Sequence, residues 1–188
     1  MASFDELPSL LNEMQQKLIN ELSSVALVHG ANVLVSEMKQ RIFAQGLTSD
    51  GVPITLSYST TPVYVSKDVF VRKSSYMPKG VKNKGNFKNG NERKTMYLEH
   101  GYKELREIQG RQTNHVDLRY SGSLEKSIEV LREDERNVLV AITDGLESTK
   151  RKGLEEHYGV TIFKPAQKEL KLYEDTISDE VDRITAAL

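Results

Sequence analysis

Near the start of the chain, apolar residues recur at steps of three and four. Leu7, Leu11, Met14, Leu18, Leu22 and Val25 trace one stripe of a 3.6-residue period, and Ala31, Val35, Met38 and Ile42 resume it. The pattern predicts helix over residues 6–45, with Gly46 as its C-terminal stop. Val28-His29-Gly30 interrupts the stripe. A glycine inside a helix costs about 1 kcal/mol relative to alanine, so a kink or a break into two helices is expected there.

The period then changes. Ser49-Asp50-Gly51-Val52-Pro53 is turn chemistry, and Ile54, Leu56 and Tyr58 alternate with polar residues as a half-buried strand does. Val63 to Val71 reads as a second short strand. Residues 74–94 are rich in Lys, Gly and Asn, with few side chains to bury, which predicts an exposed loop or arm. Thr95 is placed to cap a helix from Met96 to about Gln109, with Leu98, Tyr102, Leu105 and Ile108 as its apolar stripe and Gly110 as its end. Val116, Leu118 and Tyr120 alternate as a strand.

Lys126 to Arg132 and Asn137 to Thr143 predict a hairpin, turned by Glu133-Asp134-Glu135-Arg136. A short helix is expected from about Leu146 to His157. Pro165 suits the first turn of a last helix. The stripe of that helix, Leu170, Tyr173, Ile177, Val181, Ile184 and Leu188, is the cleanest periodic signal in the chain. These elements predict an α+β fold: a long N-terminal helix, a small antiparallel sheet with a β-hairpin, and a C-terminal amphipathic helix. A length of 188 residues suits a single domain, 1–188, with a helical part 6–45 and an exposed basic arm 74–94.

Composition removes several classes of chemistry. With no cysteine, a disulfide scaffold, a thiolate zinc site and a cysteine nucleophile are excluded. The first residues carry Asp5 and Glu6 and no basic stretch, which predicts no secretory signal. No apolar run approaches the roughly 18 residues of a membrane span, so a soluble protein is expected. None of His29, His100, His115 and His157 has the i, i+4 helical spacing of a zinc pair. Gly80 and Gly85 have the gap of a phosphate loop, but Asn86 and Phe87 stand where Lys and Ser or Thr would be needed. Glu104, Glu107 and Asp117 are not forced together by their spacing. No catalytic, cofactor-binding or metal-binding residues are assigned, and no enzyme is expected.

Charge is the remaining signal. The formal net charge is −1, yet residues 67–94 hold nine basic residues against Asp68 and Glu92, a local +7. Its candidate contact residues, to nucleic acid or to a neighbouring subunit, are Lys79, Lys82, Lys84, Lys88, Arg93 and Lys94. Three readings stand side by side. The arm is a solvated loop; it docks on acidic surface of a neighbouring copy or partner; or it touches DNA phosphates without reading bases. Phe87 and Tyr76 would then be the residues to stack on single-stranded bases. The receivers for docking are the hairpin turn Glu133, Asp134, Glu135 and Arg136 and the acid-rich last helix.

Three short segments carry a resemblance: Arg41-Ile42-Phe43-Ala44-Gln45-Gly46, Ser121-Gly122-Ser123-Leu124-Glu125-Lys126-Ser127-Ile128 and His157-Tyr158-Gly159. In this order, with a closing helix after them, the chain resembles the tail-completion, or virion-morphogenesis, proteins of tailed bacteriophages. The resemblance implies a structural subunit of a head–tail connector (neck) or tail-completion ring. Six or twelve copies would surround the DNA channel and join the portal or adaptor to tail proteins. It implies assembly in the host cytoplasm into the virion, no cofactor, no membrane, and at most non-specific contact with packaged DNA. The alternative is a nucleic-acid-binding accessory protein that uses the basic segment 67–94.

Overall fold

The computed structural model describes residues 7–66, 83–86, 92–132, 134 and 137–186. Their architecture is α+β, with a long helix near the start, a helix near the end and small antiparallel sheets. The chain gathers into two units, residues 1–54 with 117–188 and residues 55–116, a finer division than the single domain expected from length.

In the first unit, α1 (Leu7–Lys39) runs without a break through Gly30 and passes into a π-helical turn, Gln40–Gln45. The expected kink is absent, and packing explains why. A Cβ on Gly30 would lie 2.8 Å from Ile177 Cγ1 and 3.0 Å from Tyr173 Cδ2, so the bare Cα is what lets α5 (Gln167–Thr185) approach α1 there. Close packing offsets the propensity that glycine forfeits. Gly46 ends the helical run in the left-handed conformation, as expected (φ 68°). The wide turn before it buries Arg41, Ile42 and Phe43 together, and the Phe43 ring meets Phe163 at 6.4 Å.

The hairpin of this unit is β4 (Ile128–Arg132) with β5 (Val138–Ile142), pairing Ile128 with Ile142 and Val130 with Val140. It lies against α1. A two-stranded hairpin is marginal alone, so this support matters. α3 (Ser123–Lys126) is a single turn leading into β4, and it packs on α4 (Gly145–Tyr158). Asp144 caps α4, its Oδ1 accepting from the amides of Leu146 (2.7 Å) and Glu147 (3.2 Å). Pro165 precedes α5 rather than sitting in its first turn: Ala166 is the N-cap, and Glu169 Oε2 reaches back to accept from the Ala166 amide at 2.7 Å.

The second unit holds a three-stranded antiparallel sheet in the order β1-β3-β2, where β1 is Val63–Ser66, β2 Asn83–Asn86 and β3 Glu92–Leu98. Thr95 is therefore a strand residue opposite Ser66, not a helix cap. The following helix, α2, spans only Gly101–Ile108. Thr95-Met96-Tyr97-Leu98 suits either state locally, and pairing with a strand some thirty positions away decides it. Leu98 and Leu105 form the core, with Val65, Tyr102 and Ile108 packed against it. Tyr58 is buried, edge-on to Tyr102 (5.6 Å) and under the Arg106 guanidinium (4.3 Å).

Three further expectations fail for local reasons. The expected arm 74–94 contributes β2 and the start of β3 to the sheet; the rest of it lies outside the described residues. Ile54, Leu56 and Tyr58 form no strand: Ile54 and Tyr58 are buried while Leu56 is 89% exposed, so the period of two is broken. Val116, Leu118 and Tyr120 form none either. Leu118 takes φ 49°, and Asp117 Oδ1 accepts from the Arg119 amide at 2.9 Å, folding the chain into a local turn.

Candidate functional site

The most tightly organised group of polar side chains in the first unit sits where the α1 run ends. Arg41 is buried at this point. Its Nε donates to Glu169 Oε1 at 2.6 Å and its Nη2 to Glu169 Oε2 at 3.3 Å. Its remaining donors reach main-chain carbonyls: Nη1 to Leu47 O (3.1 Å) and Ile162 O (3.0 Å), and Nη2 to Lys164 O (3.0 Å). Both members of the ion pair are over nine-tenths buried, with side-chain exposures of 8% and 7%. A planar fork with donors in fixed directions fits a carboxylate on one edge and carbonyls on the other, which an ammonium cannot do.

Neighbouring groups extend the clasp. Ser49 donates its hydroxyl to Lys164 O (2.6 Å), and its amide donates to Thr161 O (3.0 Å). From α4, Glu155 Oε1 accepts from the amides of Ile162 (2.8 Å) and Phe163 (3.0 Å). The segment 161–166 is thus held by Arg41, Ser49 and Glu169 and by Glu155. One of the three sequence segments singled out above meets the stretch that follows another here. Arg41 belongs to the first, and the carbonyls it grips follow the His157-Tyr158-Gly159 turn. The Ser121–Ile128 segment lies in the same unit, where Leu124, Ser127 and Ile128 are buried. The Ser127 carbonyl accepts from the Thr143 amide at 3.0 Å, tying that segment to the end of β5.

The residues expected to make contacts distribute unevenly. Lys84 falls in β2, and Arg93 and Lys94 fall in β3, where Lys94 pairs with Asn83. Lys79, Lys82 and Lys88 lie outside the described residues, as do Phe87, Tyr76, Glu133, Glu135 and Arg136. Asp134 is exposed and closes the hairpin turn: it accepts from the Asn137 amide (2.8 Å) and from Asn137 Nδ2 (2.7 Å). Leu131 and Leu139 face each other across the hairpin, at 39% and 42% exposure.

One pair of aromatics escaped the sequence reading. Tyr64 and Tyr97 are directly opposite on β1 and β3, their rings 4.9 Å apart and both close to half exposed. The signal was available: each sits one residue from an inward-facing valine or leucine, so strand alternation turns it out.

Among the described residues no group of three or more His, Cys, Asp or Glu side chains is arranged to hold a metal ion. His29 lies 3.4 Å from Glu180, and the His157 ring packs edge-on to Tyr158 at 4.8 Å. The Arg183 guanidinium, hydrogen-bonded to Glu180, holds that carboxyl below its ordinary range, with His29 adding to the effect. Among the described residues no helix is long and apolar enough to cross a membrane. Comparison of the chain with protein-family models, with curated proteins and with solved structures gives no match.

Proposed function

We propose that this chain is a structural subunit of a bacteriophage head–tail connector or tail-completion ring, acting as a scaffold with no catalytic step. One observation carries the reading. The three sequence segments that suggest this family belong to one unit, and Arg41 of the first is bonded to Ile162, Lys164 and Glu169, in the stretch that follows the third. Segments more than a hundred positions apart are thereby combined into one rigid element, as a part copied around a ring requires. The exposed Leu131–Leu139 pair on the outer face of the hairpin suits a surface for the next copy or for a portal or tail protein. Repetition around a ring makes a small patch of this kind effective by avidity.

The test is electron microscopy and mass photometry of the purified protein, alone and with portal and tail proteins. Rings of six or twelve copies, or assembly on those partners, are expected. A monomer under all of these conditions would sink the reading.

A second reading, a nucleic-acid-binding accessory protein, draws support from the Tyr64–Tyr97 pair. It lies on the same small sheet as Lys84, Arg93 and Lys94. Stacking rings beside basic strands suit single-stranded nucleic acid. Anisotropy with a labelled oligonucleotide should then show affinity falling steeply between about 50 and about 200 mM salt. Replacing Lys79, Lys82, Lys84 and Lys88 with alanine should abolish that binding. Unchanged affinity in the variant removes this reading.

A further inference from the structure

The hairpin of the first unit has an open side along β5, and its ladder fixes which main-chain groups point there. The Thr143 amide donates to the Ser127 carbonyl at 3.0 Å, so these two form a hydrogen-bonded pair in the register of β4 and β5. Hydrogen-bonded pairs alternate along an antiparallel ladder, so Glu129 with Ala141 and Leu131 with Leu139 are the next ones. The amides and carbonyls of Val138, Val140 and Ile142 therefore point away from β4. Among the described residues no third strand pairs with the hairpin, and no backbone bond from a turn or loop reaches those three residues.

The side chains do not suit such an edge. β5 is Val-Leu-Val-Ala-Ile, with no charge, no proline and no glycine. Edge strands are ordinarily guarded by charge or proline, and an uninterrupted apolar run belongs to a strand covered on both sides. Yet none of the five is buried, and Leu139 is 42% exposed, whereas Ile128 on β4 is 3% exposed. The charges, Glu129 and Arg132, are on β4. The two strands have the composition of one half of a four-stranded sheet, an outer strand with charges and an inner strand without.

We propose that β5 pairs antiparallel with β5 of a second copy of the chain, across a twofold axis at Val140, giving a continuous sheet in the order β4-β5-β5-β4. The strand is self-complementary in that register: Val138 meets Ile142 of the other copy and Leu139 meets Ala141, and no like charges are opposed. An axis normal to the sheet keeps α1 of both copies on one face. Two strands about 4.8 Å apart match the width of a helix about 10 Å across, so the two helices lie side by side over four strands. A foreign extended peptide would bond to the same main-chain groups but would bring no helix to cover Val138, Val140 and Ile142, which share the face of buried Ile128. Five residues from each copy, at roughly 80 Å² apiece, bury about 800 Å², the size of a reversible contact. Neither the open edge nor its register depends on the ring reading.

With no cysteine in the chain, mixtures of single-cysteine variants of the full-length protein report the register. Leu139 and Ala141 would face each other across the axis in a non-hydrogen-bonded pair, the closer kind. Leu139→Cys mixed with Ala141→Cys should form a disulfide-linked dimer under mild oxidation, and either variant alone should give little. Val140→Pro removes an amide that the hairpin does not use, so it should weaken self-association in sedimentation roughly 10-fold or more while the hairpin stays paired. Leu139→Lys, at an exposed position, should do the same with an unchanged circular dichroism spectrum. A chain that is monomeric at every concentration, association untouched by either substitution, or a mixture that does not cross-link would each overturn the proposal. Leu139→Cys linking to Glu129→Cys instead would overturn it in favour of β4 of a neighbouring copy. Rings seen by microscopy without the 139–141 link would overturn it and leave the ring reading standing; linked dimers without rings would do the reverse.

Discussion

Arg41 uses every guanidinium nitrogen, and its partners decide what its loss would do. In many buried ion pairs an apolar pair of similar volume substitutes without cost. Here the same guanidinium also satisfies the carbonyls of Leu47, Ile162 and Lys164, while Glu169 accepts from the Ala166 amide. Arg41→Ala should therefore cost about 3–5 kcal/mol in urea unfolding. Arg41→Met with Glu169→Leu should stay destabilised, because those backbone groups lose their partners. Recovery of full stability in the double variant would show that the ion pair alone matters.

Glu180 gives a pH-dependent counterpart. Its carboxyl is held low by Arg183, so it titrates below the unfolded value of about 4.3. Its contribution is present above that value and is lost as pH falls through the folded pKa. Glu180→Gln should flatten the fall in stability below about pH 4.3, as thermal melts across pH would record.

At the scale of elements, α1 shows how packing overrides propensity. Gly30→Ala gains up to about 1 kcal/mol of helix propensity. The new methyl would nonetheless meet Ile177 and Tyr173 inside van der Waals distance, pushing α5 away. Net destabilisation of roughly 1–3 kcal/mol is expected by thermal or urea unfolding. A stabilised variant would mean that α5 yields easily at this crossing.

The other elements divide by the range of the interactions that form them. The hairpin and α5 were legible because their signals are local: alternating apolar residues around a polar turn, and a stripe at steps of three and four. Met96–Leu98 reads as the start of a helix capped by Thr95 because the partner that makes it a strand, Val63–Ser66, is distant. The strand expected at Val116–Tyr120 failed because Asp117 and Leu118 form a turn that apolar periodicity does not register.

For the whole molecule, the division into two units predicts a localised response to core damage. Leu98 is fully buried in the second unit. Leu98→Ala should cost about 2–5 kcal/mol there. Hydrogen exchange followed by mass spectrometry should show lost protection in residues 55–116, with the amides of α1, α4 and α5 little changed. Equal loss in both units would mean that they unfold as one.

The candidate site follows the same division as the fold. The segments around Arg41, Ser121–Ile128 and His157–Gly159 could be singled out by eye, but the clasp itself could not. Its main pair joins residues 128 positions apart, and neither Ser49 nor Glu155 carries a local mark of its role. Sequence by itself determined the α+β class, the presence of α4 and α5, the hairpin and the concentration of positive charge, because each depends on neighbours a few positions away. Tertiary structure decided that α1 passes straight through Gly30, that Thr95 is a strand residue, and that Arg41 is spent on Glu169 and three carbonyls. Desolvation, close packing and strand pairing act between groups that only the folded chain brings together.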